Sequence, residues 1–265
     1  MATIQRGGSS IYYEVTGTGP AIVLGHSLLC DVEMWRGVAP ALAAHHTVIN
    51  VEARGHRRST AAAPFTLEDL AADWLAILDR EGIDRAVLCG LSMGGMTAIR
   101  LALVAPTRVA AMILIDSNGD REEPAKRAQY AAMGAIYRRL GMLRPLARRT
   151  ATIMLGRTTL ARRPGMVDEL RAVVANHDRR QIPRALRAVF GRGPILDRLG
   201  AIACPTLVLV GDEDRATPVV KSERLASAIP GARLEIVPEV GHLSALEDPA
   251  AILARIEPFL ADLDG

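Results

Sequence analysis

The sequence predicts a doubly wound α/β fold, in which helices cover both faces of a mostly parallel sheet. Short apolar runs recur along the chain, and helical patterns separate them. Runs that are apolar at nearly every position suit strands buried on both faces of a parallel sheet, and their alternation with helices is typical of this class. The apolar runs cover residues 21–24, 47–51, 86–89, 112–115 and 206–210, and the helical patterns cover residues 35–45, 67–80, 93–105, 220–228 and 250–263.

Local signals support several of these elements. Residues 10–15 are rich in aromatic and β-branched side chains and run into a Gly-Thr-Gly-Pro turn, which indicates a strand before the first buried run. Thr66 precedes two acidic residues and predicts the N-cap of the helix at 67–80, and Gly82 predicts its end. Asp248 and Pro249 predict the cap and the start of the last helix, because proline is favoured at the first helical position.

The alternation of strands and helices breaks between two of the apolar runs. There the apolar positions recur with a helical period and are interrupted by Pro145, Pro164 and Pro183. We therefore expect a core formed by residues 1–118 and 199–265, with a helical cap, or lid, inserted at residues 119–198.

Composition narrows the functional class. The chain has 265 residues, of which 49% are hydrophobic, so it can fill a large core. The net charge is +3 and arginine dominates the predicted cap, but no nucleic-acid-binding motif accompanies it, so a solvated helical surface is the simpler interpretation. Cys30, Cys89 and Cys204 are an odd count at unrelated spacings and predict neither a disulfide framework nor a zinc site.

No apolar run of membrane-spanning length and no secretory signal pattern occurs in the sequence. We therefore expect a cytoplasmic protein that acts on a small molecule, without nucleic-acid or membrane partners, as a monomer or homodimer.

A candidate nucleophile lies at the end of the run at 86–89. The sequence Gly90-Leu91-Ser92-Met93-Gly94 has the pattern G-x-S-x-G and connects a predicted strand to a predicted helix. In that context a strained turn projects the serine hydroxyl from the sheet, and the helix N-terminus faces the position where an oxyanion would form. The strand and helix make this signal much more specific than the pentapeptide alone.

A serine nucleophile needs a base and an orienting acid. Asp212, Glu213 and Asp214 follow the run at 206–210, and His242 follows the last predicted strand at 234–237. The order serine, acid, histidine is the one expected when all three residues leave the carboxyl ends of strands in this fold. Local sequence leaves the choice among the three acids open.

The other histidines have weaker claims. His45 and His46 sit at a predicted helix end and are expected at the surface. His177 falls in the predicted cap and is a weaker candidate base. His26 and His56 follow predicted strands near the expected mouth of the site, where they could contact substrate or bond to the backbone.

Over nearly its whole length the sequence resembles the α/β-hydrolase superfamily, and within it the branch of 3-oxoadipate enol-lactonases, arylesterases and related carboxylic-ester hydrolases. The motifs that carry the resemblance are Leu24-Gly25-His26-Ser27-Leu28 with Met34-Trp35, Arg54-Gly55-His56, the turn from Gly90 to Gly95, Gly211-Asp212-Glu213-Asp214 with Pro218, and Gly241-His242 with Glu247-Asp248-Pro249.

The resemblance implies an α/β-hydrolase fold and a catalytic triad of Ser92, Asp214 and His242. It also implies an oxyanion hole formed by the backbone N–H groups of Met93 and Leu28, with Ser27 as the alternative to Leu28. The chain departs from the family pattern in two places. In one loop Arg57 replaces a glycine, and Glu52 stands in place of an aspartate; after the first buried run, Gly25-His26 stands in place of the common histidine-glycine pair.

The resulting hypothesis is hydrolysis of a carboxylic ester or lactone through an acyl-enzyme, without cofactor or metal. We expect substrate contacts from His26, Trp35, Arg138 and Arg144. If arginines of the cap face the site, a carboxylated lactone such as 3-oxoadipate enol-lactone becomes the alternative substrate. The arginines considered for that role are Arg127, Arg138, Arg139, Arg144 and Arg148. Other chemistries of the same triad, perhydrolysis and C–C bond hydrolysis, and a non-catalytic small-ligand receptor are further alternatives.

Overall fold

Eight strands form one central sheet in the computed structural model, which describes residues 1–264. The strands are β1 (Ala2–Arg6), β2 (Ser9–Thr16), β3 (Ala21–Gly25), β4 (Thr47–Val51), β5 (Ala86–Leu91), β6 (Val109–Ile115), β7 (Thr206–Gly211) and β8 (Arg233–Val237). Their spatial order is β1-β2-β4-β3-β5-β6-β7-β8. Strand β2 pairs antiparallel with β1 and β4, and the other neighbouring strands pair parallel. The predicted doubly wound, mostly parallel α/β sheet is confirmed.

The helices are α1 (Ala39–Leu42), α2 (Leu67–Arg80), α3 (Met93–Val104), α4 (Pro124–Leu140), α5 (Arg144–Met154), α6 (Arg157–Arg162), α7 (Met166–Ala175), α8 (Ile182–Phe190), α9 (Val219–Ala228), α10 (Ser244–Glu247) and α11 (Pro249–Asp264). None of those helices is long and apolar enough to cross a membrane.

The helix predicted at 35–45 is wrong in extent. The structure has a short 3₁₀ turn at Val32–Trp35 and then α1, which is only four residues long. Pro40 lies in the first turn of α1, where its ring favours a new start over continuation of a helix. Between the two elements, Gly37 lies so close to Pro249 that an added Cβ would come within 2.7 Å of the proline ring.

Buried side chains pack against both faces of the sheet. Neighbouring residues of β5 and β6 alternate between two apolar clusters: Cys89 and Ile113 belong to one, and Leu88 and Met112 to the other. This alternation is why these strands read as continuous apolar runs rather than as alternating polar and apolar residues.

Helix α2 shows how a local signal and a long-range contact fix one element. Thr66 caps it, since its hydroxyl accepts the Asp69 N–H at 3.3 Å while the Asp69 carboxylate accepts the Thr66 N–H at 2.9 Å. Trp74 on the buried face lies against Gly25 at the end of β3, where an added Cβ would overlap the indole ring. Only glycine lets this helix and strand come so close.

Helices α4 to α8 follow β6 and precede β7, within the segment for which we predicted a cap. Helix α4 packs on α8, and α5 packs on α7. Two carboxylates attach the segment to α10 and to the loop after β7: Glu247 accepts the Gly156 N–H at 2.8 Å, and Glu213 accepts the Thr158 N–H at 2.8 Å. These contacts fix the segment above the ends of the parallel strands.

Candidate active site

Ser92 occupies a strained turn between β5 and α3. Its φ of 53° and ψ of −107° are rarely adopted by a residue with a Cβ. The two flanking glycines make the turn possible: an added Cβ at Gly90 would overlap the Gly94 carbonyl group, and one at Gly94 would overlap the Gly25 carbonyl oxygen. The tight turn therefore needs glycine on both sides of the serine.

Ser92, His242 and Asp214 form a continuous hydrogen-bonded chain. His242 Nε2 lies 2.9 Å from Ser92 Oγ, and His242 Nδ1 lies 2.8 Å from Asp214 Oδ2. All three residues are buried. The hydroxyl, the imidazole and the carboxylate thus have the spacing that lets the imidazole take a proton from the serine.

The geometry distinguishes Asp214 from the two neighbouring acids. Its Oδ1 accepts the N–H groups of Ala216 and Thr217 at 2.8 and 2.9 Å, which turns Oδ2 toward the imidazole. Asp212 instead accepts the Glu239 N–H, and Glu213 binds the helical segment through Thr158. Of the three candidates, Asp214 contacts His242.

Asp116, which the sequence analysis missed, connects the loop that carries Asp214 to the loop that carries His242. It follows β6 with a φ of 47° and is fully buried. Its carboxyl group contacts the Gly211 N–H at 2.9 Å and the Ser244 hydroxyl at 2.5 Å, and its carbonyl accepts the Thr217 hydroxyl at 2.9 Å. Burial, and then the nearby Asp214 carboxylate, raise the pKa of Asp116 well above its ordinary value.

Asp116→Asn is therefore expected to keep most of the activity. The amide oxygen can still accept the Gly211 N–H and the amide nitrogen can donate to Ser244. Asp116→Ala removes both contacts, and leaving buried polar groups unpaired typically costs about 1–3 kcal/mol each. Thermal unfolding and kcat of the two variants check this expectation. Equal losses in both variants would mean that these two hydrogen bonds are not what Asp116 contributes.

Opposing effects of burial and of nearby carboxylates set the pKa of His242. Burial lowers its pKa, but the Asp214 carboxylate, followed by Asp116 and Glu247, outweighs burial and raises the pKa above the ordinary 6.5. A general base must be unprotonated to accept the serine proton. We therefore expect kcat/KM to fall as the pH decreases through a value above 6.5, measured with an ester whose own hydrolysis is pH-independent in that range. A midpoint below the ordinary value would contradict the proposed pairing with Asp214.

Two backbone N–H groups are candidates for an oxyanion hole. Met93 begins α3 directly after Ser92, and Leu28 lies in the loop after β3. The N–H of Ser27 is engaged by Met34 Sδ at 3.4 Å, whereas no hydrogen bond within residues 1–264 uses the N–H of Leu28. This difference favours Leu28 over Ser27 as the second donor.

A cavity above Ser92 and His242 is lined mainly by apolar side chains from α4, α5 and α8. Its lining includes Met133, Tyr137, Met142, Leu146, Ile153, Met154, Ile182, Leu186, Val189 and Phe190, together with Leu28, Leu29 and Met96 from the core. The ring of Tyr130, also in the lining, stacks on Phe190 at 4.3 Å between centroids. An apolar group attached to the scissile carbonyl would be buried here.

The residues that we expected to contact substrate lie outside this cavity. His26 is buried behind the loop, where its ring bonds to Ser27 and Ala53, and Trp35 is fully buried in the core. Arg138 and Arg144 are exposed to solvent. The structure therefore does not bring these four side chains to Ser92.

The other arginines considered for substrate binding are absent from the cavity lining as well: Arg127, Arg139 and Arg148. The reason lies in the helix orientation. Helix α4 turns Met133 and Tyr137 inward, so the arginines on its opposite face point away from the cavity. The guanidinium that does line the cavity is Arg192, which lies after α8.

Arg192 is buried and already has protein partners. It donates to the Val189 carbonyl at 2.7 Å and to Asn118 Oδ1 at 2.9 Å, and it lies 3.7 Å from the Glu122 carboxylate. Glu122 also lines the cavity and lies 3.5 Å from Lys221 Nζ. A substrate carboxylate at this end of the cavity would have to compete with Glu122 for the guanidinium.

The loop that departs from the family pattern keeps a backbone shape suited to glycine. Arg57 has a φ of 39°, in the left-handed region, which explains why a glycine would be favourable there. Its guanidinium lies 3.3 Å from Asp31, and its N–H donates to His177. Glu52, which stands in place of the aspartate in the same loop, is fully buried, and its carboxylate lies 2.9 Å from the Arg58 guanidinium.

Comparison with known proteins agrees with this architecture. A family model described as the α/β-hydrolase fold matches residues 20–249. A 3-oxoadipate enol-lactonase from Acinetobacter baylyi is 26% identical over 262 residues, which cover 98% of this chain and 96% of the relative.

Two solved structures superpose over almost the whole chain. A thermophilic esterase from Thermogutta terrifontis has a TM-score of 0.91 and 28% identity, covering 98% of this chain and 97% of its own. An enol-lactonase from Burkholderia xenovorans LB400 has a TM-score of 0.90 and 28% identity, covering 98% of this chain and 100% of its own. The chain therefore belongs to the α/β-hydrolase family.

Proposed function

We propose that this hydrolase cleaves carboxylic esters or lactones that carry an apolar acyl group, through an acyl-enzyme on Ser92. The observation that carries the proposal is the chain Ser92, His242 and Asp214, which opens onto an apolar cavity. The esterase and enol-lactonase among the similar proteins support the same class of substrate. An intact triad argues against a non-catalytic receptor, which has no use for it.

In the first half of the reaction, Ser92 Oγ attacks the substrate carbonyl while His242 Nε2 takes the serine proton. The carbonyl oxygen becomes an oxyanion, and the N–H groups of Leu28 and Met93 would stabilise it. His242 then gives the proton to the departing alkoxide, the carbon–oxygen bond breaks, and an acyl group remains on Ser92. In a lactone the alkoxide stays attached to that acyl group.

In the second half, water enters beside His242, which removes a proton from it as the water oxygen attacks the acyl carbon. The second tetrahedral intermediate uses the same two N–H donors. It collapses with return of the proton to Ser92 Oγ and release of the carboxylic acid. Asp214 keeps His242 Nδ1 protonated throughout and stabilises the imidazolium in both steps.

The cavity favours a neutral, apolar acyl group over a carboxylated one. Burying a methylene group contributes about 0.8 kcal/mol, whereas a buried carboxylate needs a cation that is not already paired. Arg192 lines the cavity but is shared by Glu122, Asn118 and the Val189 carbonyl. We therefore favour apolar esters and lactones over 3-oxoadipate enol-lactone.

Acyl-chain length gives a direct test of this substrate preference. On p-nitrophenyl acetate, butyrate and hexanoate, kcat/KM is expected to rise by up to about 4-fold for each methylene group that enters the cavity. Leu146→Ala, which enlarges the cavity wall, should weaken the dependence on chain length. Leu160→Ala on α6 is the matched control, because Leu160 is also half-buried but does not line the cavity.

A flat chain-length profile for the wild type would contradict the proposed acyl site. A second comparison sets a neutral lactone against a lactone of the same ring size that carries a carboxylate. The neutral lactone is expected to have the higher kcat/KM. A clear preference for the carboxylated lactone would instead support the enol-lactonase alternative and a substrate role for Arg192.

A further inference from the structure

Three buried histidines that the proposed reaction does not use lie beside the loop at residues 27–30, which we call the oxyanion loop. His26 follows β3, His56 lies in the loop after β4, and His177 comes from the segment between α7 and α8. The ring centroids of His26 and His56 are 4.9 Å apart, and those of His56 and His177 are 5.2 Å apart. All three side chains are almost completely shielded from solvent.

Each ring contacts backbone groups of neighbouring loops. His26 Nε2 accepts the Ala53 N–H at 3.0 Å and Nδ1 donates to the Ser27 carbonyl at 2.7 Å. His56 Nε2 accepts the Leu29 N–H at 3.4 Å. A nitrogen that accepts an N–H cannot carry a proton, so these contacts require neutral rings.

His177 reaches across from the helical insertion to the same loop. Its Nδ1 accepts the Arg57 N–H at 3.0 Å, and its Nε2 donates to the Leu29 carbonyl at 3.0 Å. Leu29 has a φ of 68°, a left-handed conformation that a leucine rarely adopts. Histidines therefore bind both backbone groups of Leu29: its N–H donates to His56, and its carbonyl accepts from His177.

Leu29, the strained leucine, follows the peptide unit between Ser27 and Leu28, whose N–H is the proposed oxyanion donor. The Ser27 carbonyl accepts from His26 and from the Cys30 N–H at 3.1 Å. Because the peptide is trans, its N–H, which belongs to Leu28, points to the opposite side, where Leu28 lines the cavity. The orientation of this N–H depends on the conformation of the whole loop.

We propose that His177 is a positioning residue for the oxyanion hole: by holding the Leu29 carbonyl from the helical insertion, it keeps the Leu28 N–H aimed at the reacting carbonyl. The proposal rests on the function proposed above. On this proposal, the oxyanion hole is complete only when the helical insertion is packed on the core, because His177, which fixes the oxyanion loop, belongs to the insertion.

The groups around His177 keep this contact in place over the working pH range. Asp31, Arg57 and the rings of His56 and His26 face it, and Glu33 lies 3.9 Å from Arg57. Burial lowers the pKa of His177, and this lowering outweighs the attraction of Asp31. The ring is therefore neutral where His242 titrates, and its replacement should leave the midpoint of the pH–rate profile unchanged.

The test compares the wild type with His177→Phe, which removes both hydrogen bonds but keeps a ring, and His177→Gln, whose amide can still donate to the Leu29 carbonyl. His45→Gln, at an exposed histidine, is the control. Loss of an oxyanion donor typically lowers kcat by about 10²–10³-fold, and for a displaced donor we expect about 10-fold or more. KM for p-nitrophenyl butyrate should change less than about 2-fold, by the same argument that only the transition state uses this donor.

A butyl boronic acid supplies the second readout, because its tetrahedral, anionic adduct with Ser92 places a boronate oxygen in the hole. Its affinity should fall in the Phe variant by a factor similar to the fall in kcat, with partial recovery in the Gln variant. A folded Phe variant with wild-type kcat and boronate affinity would overturn the proposal, and so would a loss that appears only in KM.

If the Phe variant does not fold, His177→Gln and His177→Asn decide the question, since the shorter asparagine does not reach the Leu29 carbonyl. A lower kcat for Asn than for Gln is expected, and wild-type values for both would overturn the proposal. Failure of the proposed function is distinguishable from these results, because the wild type itself would then neither turn over the ester nor bind the boronate.

Discussion

Ser92→Ala is expected to lower kcat for p-nitrophenyl butyrate by about 10⁶-fold, the size of loss seen when the nucleophile of a serine triad is removed. The substitution deletes the oxygen that we propose as the nucleophile but leaves the backbone donors and the cavity in place. Alanine has the same Cβ as serine at the strained φ of 53°, so the fold should be kept. Initial rates at saturating substrate, with thermal unfolding measured in parallel, check both statements.

Ser227→Ala is the matched control, because this serine is exposed on α9 and does not line the cavity. It should have wild-type kcat. A Ser92→Ala protein that is folded and still hydrolyses the ester at more than about one thousandth of the wild-type rate would mean that another group attacks the carbonyl.

Asp214→Asn is expected to lower kcat by about 10⁴-fold. The asparagine amide can donate to His242 Nδ1, which stabilises the tautomer with a proton on Nε2, and that nitrogen can then no longer take the serine proton. The variant also removes the charge that raises the pKa of His242. The acid side of any residual pH–rate profile should therefore shift to lower pH.

Asp212→Asn is the control for this variant, since Asp212 is an exposed neighbour whose carboxylate bonds to the Glu239 N–H. Its kcat should stay within about 2-fold of the wild type, as expected for a surface substitution away from the site. Comparable losses in the two variants would show that the loop at 212–214 affects activity only through its conformation, and would contradict a direct role for the Asp214 carboxylate.

The central sheet could be predicted because its strands carry a signal in their composition. The runs at 86–89 and 112–115 are apolar throughout, and both faces of β5 and β6 are buried in the structure. The prediction of a helix at 35–45 was wrong because it rested on the apolar periodicity alone and ignored Gly37 and Pro40, which both disfavour a continuous helix. Those residues divide the segment into a 3₁₀ turn and α1.

The three residues of the proposed triad could be selected because each follows a strand at the same edge of a parallel sheet. Ser92 follows β5, Asp214 follows β7 and His242 follows β8, so strand order brings them together. Asp116 follows β6 by the same rule and could have been found from it. No motif marks it, and only the structure shows that it supports the loops of the other two.

The side of a helix that faces the cavity could not be predicted. Met133, Ile136, Tyr137 and Leu140 share the apolar pattern of α4, yet Met133 and Tyr137 line the cavity while Ile136 and Leu140 are exposed. Successive residues of a helix are about 100° apart around its axis. An error of one residue in the orientation of the helix therefore exchanges a side chain that contacts substrate for an arginine that is exposed to solvent. Arg192 was missed because a loop arginine carries no periodic signal.

The most direct test of the account is to identify the residue that acts as the nucleophile. A fluorophosphonate, which reacts with an activated serine, should add one phosphonyl group per chain, and peptide mapping by mass spectrometry should place it on Ser92. The addition should be lost in His242→Ala, because the serine then has no base. A phosphonyl group on another residue, or none on a protein that hydrolyses esters, would contradict the mechanism.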